Sequence, residues 1–234
     1  MSQLPPIRRL PYLDTDSPFP PVDVAWGNDD PIPGLLCVGA DLSVERLVSA
    51  YSQGIFPWYS AGEPILWWSP DPRMVLKVAD FKNHRSIKQA IKRFHATPDC
   101  EILMDSAFPE VIARCANTSR AEQNGTWILP AMQTAYIAMF EAGYAHSVEV
   151  WMQGKLVGGL YFTMVGKVVF GESMFSLRSN ASKIALSYLV DFCQKHDITW
   201  IDCQQQTKHL ASLGAKPIPR EMFLDLIRES QHAN

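Results

Sequence analysis

The sequence of 234 residues lacks the features that mark several large classes of protein. Its five cysteines are odd in number and contain no C-x-x-C pair, which argues against a disulfide scaffold and a structural zinc site and indicates a reducing compartment. No apolar run reaches the roughly 20 residues of a membrane span, and the first residues have no apolar core of a secretory signal. We therefore expect a cytoplasmic protein that does not bind a membrane.

Several catalytic signatures are also missing. The sequence has no G-x-S-x-G, no H-E-x-x-H, no P-loop and no G-x-G-x-x-G, which disfavours serine hydrolases, zinc peptidases and enzymes of nucleoside triphosphates or dinucleotides. The net charge of −3 and the pI near 6.1 exclude a global basic field. A nucleic-acid partner would therefore have to be held by a local basic patch.

Proline is concentrated at one end of the chain. Twelve of the 17 prolines fall within the first 72 residues, together with four of the seven tryptophans. Proline excludes long helices and central strands, so this stretch is predicted to be rich in loops, with one helix capped by Asp41 or Ser43 and ending at Gly54. We predict a small Pro/Trp-rich N-terminal domain over residues 1–71 and a catalytic domain over residues 72–234.

Residues 72–234 alternate between helical and strand patterns. Apolar periodicity predicts helices over 84–95, 106–116, 131–142, 180–195, 206–213 and 219–230, and strands over 74–78, 101–105, 146–151, 155–165, 168–173 and 198–203. An antiparallel meander of three strands, then a helix and a further strand, is the order of the GNAT acyltransferase architecture. The predicted fold class is therefore α+β, with a mixed, largely antiparallel sheet and flanking helices.

Three polar residues stand at strand ends. Asp202 and Gln204 are predicted to share one face of their strand, with Cys203 on the other. Glu172 lies between apolar residues, where an unpaired charge is costly, so it is expected to meet a structural cation or the amine of a substrate. For Asp202 the structural alternative is a helix cap or a hydrogen bond to the backbone.

A basic stretch and scattered aromatics suggest contact with nucleic acid. Residues 82–93 contain five Lys or Arg and no acid, and Arg85, Lys88 and Lys92 share one helical face. Trp58 and Trp127 are candidates for stacking on bases. A solvated helix face and simple core packing are the structural alternatives.

The motifs together resemble one family. GIFPWYS, ILWWSPDPR, GTWI, HSVEVW, VGGLY, GESMFS, NASK and IDCQ, followed by HLASLGAKPIPR, are similar to the bacterial leucyl/phenylalanyl-tRNA–protein transferases, from about Gly34 to Phe223. The resemblance implies a GNAT-related domain behind a small N-terminal domain. It implies transfer of Leu or Phe, and Met more weakly, from aminoacyl-tRNA to proteins with an N-terminal Arg or Lys, which marks them for degradation. It implies no metal and no organic cofactor.

The resemblance and the residue patterns assign roles. Asp202, Gln204 and Glu172 are the candidate catalytic residues, and the acceptor amine is expected to attack the ester carbonyl. Gln204 has no useful basic pKa, so it orients the amine or relays a proton through a hydrogen bond. Asp202 orients Gln204, holds the acceptor's cation or accepts a proton. The candidates for binding the aminoacyl-adenosine end are Trp58, Trp127, Met174, Leu160, Val169, Leu189 and Cys193. The candidates for the tRNA backbone are Arg85, Lys88, Lys92 and Arg93.

Two further expectations concern the reaction. Backbone N–H groups near Gly158 and Gly159 are weaker candidates for stabilising the oxyanion. Thr207 stands where some family members carry an asparagine, so the contact made by that asparagine is in doubt for this chain.

Two alternatives remain open at this point. A GNAT-like acyltransferase with an acyl-CoA donor would need a glycine-rich turn ahead of the 180–195 helix to bind pyrophosphate, and the chain there reads Leu177-Arg-Ser-Asn-Ala-Ser. A non-catalytic module that binds a tRNA end or an N-terminal degron is the other. We expect a monomer.

Overall fold

The computed structural model describes residues 10–118 and 126–232. The N-terminal residues on which the absence of a secretory signal was judged lie partly outside these ranges. So does Asn124-Gly125, the predicted turn ahead of Trp127.

The first part of the chain builds a small four-stranded sheet. Its strands are β1 (Tyr12–Leu13), β2 (Leu35–Gly39), β3 (Phe56–Pro57) and β4 (Leu66–Trp68), in the order β1-β2-β4-β3. The predicted helix is confirmed as α1 (Val44–Ser52), and the Ser43 side chain accepts a hydrogen bond from the Arg46 N–H, as an N-cap does. The strands themselves were not predicted, because strands of two to five residues carry too little of an alternating pattern.

The rest of the chain builds a seven-stranded sheet. Its strands are β5 (Arg73–Lys77), β6 (Cys100–Met104), β7 (Ala145–Met152), β8 (Lys155–Val165), β9 (Val168–Ser176), β10 (Trp200–Gln204) and β11 (Lys216–Ile218). Their order is β11-β5-β10-β9-β8-β7-β6, and only β9 and β10 run parallel. The predicted α+β class and the largely antiparallel, mixed sheet are confirmed. The short edge strand β11 is an addition to the prediction.

Six helices accompany this sheet in the described ranges. They are α2 (Arg85–Ala96), α3 (Phe108–Ala116), α4 (Pro130–Glu141), α5 (Ala181–Lys195), α6 (Lys208–Ser212) and α7 (Arg220–His232), which confirms the predicted helices to within a few residues. None of the helices in the described ranges is long and apolar enough to cross a bilayer.

Two apolar clusters fill the interior. One contains the buried residues of α2 and α5; we call it the α5 cluster. The other contains those of α3 and α4 and continues into the small sheet, so that Trp67 and Phe170 belong to it; we call it the α4 cluster. The division at residues 71 and 72 remains a prediction.

Candidate active site

The parallel strands β9 and β10 part at their carboxyl ends. They pair only at Val169 with Ile201 and at Phe170 with Asp202, whereas β9 continues to Ser176. Both strands are bulged at this point. Bulges commonly lie beside active sites because they redirect a side chain and end strand pairing. The opening between the strands, here called the β9–β10 opening, is therefore the candidate position of an active site.

The bulge on β9 leaves one residue outside the ladder. Ser173 pairs with Tyr161 and Gly171 with Phe162, so Glu172 between them has no partner on β8. Strict alternation would place Glu172 and Met174 on one face. Instead Glu172 reaches residues of the α4 cluster, whereas Met174 packs against the α5 cluster.

The bulge on β10 falls at Cys203, between the paired residues Asp202 and Gln204. Cys203 packs against the α5 cluster, whereas Asp202 and Gln204 bond to groups on the other face. The predicted arrangement of these three residues on the strand is confirmed. Burial also raises the pKa values of Cys193 and Cys203, the former to about 12, so neither thiol provides a thiolate nucleophile.

The carboxylate of Glu172 is surrounded by hydrogen-bond donors. Oε1 accepts from the hydroxyls of Tyr51 at 2.7 Å and Thr163 at 3.2 Å. Oε2 accepts from the Tyr136 hydroxyl and from Gln204 Nε2, both at 3.3 Å. The two tyrosine hydroxyls also lie within hydrogen-bond distance of each other, so their two protons are shared among these three contacts. All four partners are neutral, and within the described ranges no structural cation pairs with Glu172, so that half of the expectation is wrong.

The pKa of Glu172 follows from this environment. Burial raises it from 4.5 to about 7, against the opposing hydrogen bonds from Tyr51 and Gln204, and the charge of Asp202 raises it further. A carboxyl group with such a pKa can give and take a proton near neutral pH. Glu172 is therefore poised for proton transfer at the β9–β10 opening.

The same shift makes the stability of the chain depend on pH. Between pH 4.5 and 7 the folded chain binds more protons at Glu172 than the unfolded chain, so the free energy of unfolding should fall as the pH rises through this window. The total loss above pH 7 is roughly 3 kcal/mol. Urea unfolding of the parent and of Glu172→Gln at pH 5 and pH 8 measures it. The variant should lose less stability than the parent, and equal losses would contradict the shift.

Asp202 forms an ion pair inside the protein. Both its side chain and that of Arg73 are fully buried. Arg73 Nε donates to Oδ1 at 2.8 Å and Nη2 to Oδ2 at 2.6 Å, while Nη1 donates to the Gly54 carbonyl at 3.0 Å. The guanidinium lies 4.8 Å from the ring centroids of both Phe56 and Phe223. The carboxylate is thus closed to solvent and engaged at both oxygens.

This ion pair also holds Gln204. Asp202 Oδ1 accepts the Gln204 backbone N–H at 2.9 Å, and Gln204 adopts the left-handed φ of 60°. Of the three roles left open for Asp202, its burial favours that of orienting Gln204. The side-chain amide of Gln204 then donates through Nε2 to Glu172, which leaves its Oε1 as an acceptor at the β9–β10 opening.

Three residues at this site were not predicted from the sequence. Arg73 closes the motif ILWWSPDPR but has no role in the sequence analysis, and Tyr51 lies in the helix predicted to end at Gly54, also without a role of its own. Tyr136 carried no signal at all, because only the fold brings α4 against α1 and β9. The charge of Arg73 beside an apolar strand was the one hint that a buried carboxylate should exist elsewhere.

The apolar candidates come together beside the opening. Leu160, Val169, Leu189 and Cys193 are almost fully buried in the α5 cluster. Met174 faces Leu160 across β8 and β9 and remains partly exposed. All five side chains therefore belong to or pack against one apolar cluster, and we call them the apolar wall.

The aromatic candidates lie on the other cluster. Trp58 and Trp127 are both partly buried and pack against the α4 cluster. The Trp58 carbonyl accepts the Trp68 Nε1–H at 2.6 Å, which fixes the backbone of Trp58. The role of both rings in stacking stays a prediction.

The basic candidates lie on the exposed face of α2. Ile87 and Phe94 anchor this helix in the α5 cluster. The side chains opposite them are exposed and form no ion pair with any residue in the described ranges: Arg85, Lys88, Lys92 and Arg93.

The two glycines of β8 have a structural role. Both lie inside the sheet and are paired on both sides. A Cβ on Gly158 would lie 2.4 Å from the Ala181 Cβ, and one on Gly159 would lie 2.7 Å from the Val148 carbonyl oxygen. They allow α5 and β7 to approach β8 closely. That backbone N–H groups near these glycines stabilise an oxyanion stays a prediction.

The sequence is closely similar to those of known proteins. A sequence model described as leucyl/phenylalanyl-tRNA protein transferase matches residues 75–228, and one described as the N-terminal domain of that transferase matches residues 40–71. A leucyl/phenylalanyl-tRNA–protein transferase of Leptothrix cholodnii is 57% identical over 217 residues, which is 92% of this chain and 85% of the relative. One of a Polaromonas species is 57% identical over 224 residues, or 96% and 87%.

Solved structures resemble the chain only weakly. A GCN5-related N-acetyltransferase from Kribbella flavida aligns with a TM-score of 0.35 and 12% identity, over 72% of this chain and 58% of that one. The sequence relationships are far stronger. On the two matching models and the identities over nearly the whole chain, the protein belongs to the leucyl/phenylalanyl-tRNA–protein transferase family and is an aminoacyltransferase.

Proposed function

We propose that this chain transfers Leu or Phe, and Met more weakly, from aminoacyl-tRNA to the α-amine of proteins that begin with Arg or Lys. The product would be marked for degradation. The observation that carries the proposal is the hydrogen bond between Gln204 Nε2 and Glu172 Oε2 across the β9–β10 opening. It places an amide acceptor beside a carboxyl group whose pKa is raised to about 7.

The donor would lie along the apolar wall. The side chain of Leu or Phe packs against Met174 and the buried residues behind it. A side chain branched at Cβ is stiff and wide at its base, so Val and Ile fit less well. The adenine stacks on Trp58 or Trp127, and the exposed cations of α2 bind phosphates of the tRNA.

The acceptor would enter at Glu172. This carboxyl group has four neutral donors and no cation beside it in the described ranges. A chain that begins with Arg or Lys brings two cations, the α-ammonium and the side chain. The ionised form of Glu172 attracts them, which explains the preference for a basic first residue.

The transfer step needs no external energy source because the ester is already activated. Ionised Glu172 takes one proton from the α-ammonium. Gln204 Oε1 then accepts a hydrogen bond from the neutral amine and aims its lone pair at the ester carbonyl. The C–N bond forms, the C–O bond breaks, and the ribose oxygen leaves with a second proton of the amine. The remaining N–H becomes the amide hydrogen. Positioning of this kind contributes up to about 7–11 kcal/mol in favourable cases.

Three expectations about the fold, the domains and the cellular location accompany the proposal. The larger sheet has a GNAT-like acyltransferase fold, on the evidence of its meander, α5 and the parallel pair of β9 and β10. Residues 1–71 and 72–234 are separate domains of a monomer. The location is cytoplasmic, where aminoacyl-tRNA is available.

The test is a transfer assay without ATP. The purified chain is mixed with tRNA charged with radiolabelled Leu and with a peptide that begins with Arg. We expect label in the peptide, much less with an Asp-starting peptide or with Val-tRNA, and none with an N-acetylated peptide. Turnover with an acyl-CoA but not with charged tRNA would instead favour an acyl-CoA acyltransferase. Tight binding of both substrates without turnover would favour a non-catalytic module.

A further inference from the structure

A groove of about 510 Å³ lies between α2, the β7–β8 hairpin and the start of α5. Its floor is apolar and includes Phe94, Val157 and Ile184. Its rim carries three basic side chains, Arg93, Lys155 and Arg178. We call it the basic groove. It is separate from the β9–β10 opening and from the residues assigned to the reaction, apart from Arg93.

The charge of the basic groove is one-sided. Its lining contains three cations and no Asp or Glu, although the whole chain has a net charge of −3. None of the three cations forms an ion pair with a residue in the described part of the chain. Two acids, Asp99 and Glu101, line an adjoining cleft that shares Cys100 with the groove. An anion is therefore attracted to one end of this region and repelled at the other.

The three cations come from different elements. Arg93 lies on α2, Lys155 begins β8, and Arg178 lies between β9 and α5. A solvated helix face would concentrate its charges on one helix, as α2 does with Arg85, Lys88 and Lys92. Charges that converge from three elements on a concave surface instead produce a fixed positive potential, which suits a polyanion.

The position of the basic groove relates it to the donor site. Arg178 follows Met174 by four residues along the chain, so their Cα atoms are at most about 13–14 Å apart. That is about four stacked nucleotides at roughly 3.4 Å each along one strand. Every tRNA ends in four unpaired nucleotides, with the amino acid on the last. Because 13–14 Å is the largest possible separation, a donor whose side chain reaches Met174 would bring phosphates of its single-stranded end within reach of this groove.

We propose that the basic groove binds the phosphodiester backbone at the 3′ end of the donor tRNA, where the single strand meets the acceptor stem. This inference rests on the proposed function, because it takes aminoacyl-tRNA as the donor. It extends the tRNA contact from α2 to Lys155 and Arg178. This contact depends on the charge of the phosphates and has no preference for the base sequence of the tRNA.

The test compares Lys155→Gln, Arg178→Gln and the double variant with the parent. The control is Lys167→Gln, an exposed lysine in the turn at the far end of β8. Affinity for uncharged leucine tRNA is measured by filter retention at several salt concentrations. Each single variant should reduce the slope of log affinity against log salt concentration by about 0.7–0.9, and the double variant by about 1.5. Lys167→Gln should keep the parental slope.

A second donor separates this inference from the proposed function. Leucyl-adenosine carries the ester but no phosphate, so the double variant should use it as fast as the parent does, which also shows that the variant is folded. If the double variant keeps the parental salt slope while the parent transfers Leu, the basic groove does not bind the tRNA backbone, and the proposed function still stands. Equal slope losses in Lys167→Gln would also overturn it. A parent that neither binds tRNA nor transfers Leu would overturn the proposed function and the groove together.

Discussion

Asp202→Asn is expected to lower the free energy of unfolding by about 3–5 kcal/mol, because it leaves the guanidinium of Arg73 buried without a counter-charge. Arg73 and Asp202 are both fully buried and share two hydrogen bonds. The measurement is the midpoint and slope of urea unfolding. A matched control exists on the surface: Asp225 pairs with Arg228 at the same 2.6 Å, but both side chains are more than half exposed. Asp225→Asn should cost at most about 1 kcal/mol.

A double variant shows whether the unpaired charge is the cause. Arg73→Met together with Asp202→Asn removes both ions and keeps apolar contact with Phe56 and Phe223. It should recover a large part of the loss, because replacing a whole buried pair is far less harmful than breaking it. If Asp202→Asn costs no more than Asp225→Asn, the buried ion pair does not hold the site in the way described.

Glu172→Gln is expected to lower kcat/KM for an Arg-starting peptide by about 10²–10⁴-fold, the usual contribution of a general base. The glutamine keeps the shape and cannot accept the proton. In the parent, activity should rise with pH as Glu172 ionises near its pKa of about 7. This limb should disappear in the variant, whereas affinity for tRNA should stay at the parental value. The measurement is the initial rate against pH at limiting peptide.

Tyr51→Phe provides the matched control. The hydrogen bond from Tyr51 lowers the pKa of Glu172, so its removal should move the rising limb to higher pH without abolishing activity. The α-amine of the peptide also titrates, near pH 7.7–8.0, but identically with every variant. If activity rises at the same pH in both variants as in the parent, the rise reports the α-amine of the peptide, and Glu172 is not the general base.

The secondary structure of the larger sheet was predictable because its elements are long. The helix Ala181–Lys195 and the strand Lys155–Val165 each show several repeats of their period, 3.6 or 2 residues. The strands of the small sheet are only two to five residues long, so no period develops.

The sequence predicted which residues belong to the candidate site better than it predicted how their side chains are arranged. Glu172, Asp202 and Gln204 were identified from polar residues at strand ends and from the family resemblance. Strict alternation along β9 cannot show that Glu172 and Met174 face opposite sides, because the bulge depends on pairing with β8. Nor does any local pattern show that Arg73 and Tyr136 reach the site, since their partners lie 129 and 36 residues away.

The surroundings of Arg73 restrict how this enzyme can be recombined with its relatives. Its guanidinium joins the Gly54 carbonyl and the Phe56 ring, from the first part of the chain, to Asp202 and to the Phe223 ring near the end. A hybrid with its crossover at residue 72 would take these groups from two parents. Even if both parents have the same residues at these positions, a small difference between their backbone paths would separate the Phe56 and Phe223 rings from the Arg73 guanidinium. Hybrids of the family are therefore best joined elsewhere, with residues 54–56, 73, 202 and 223 inherited as one block.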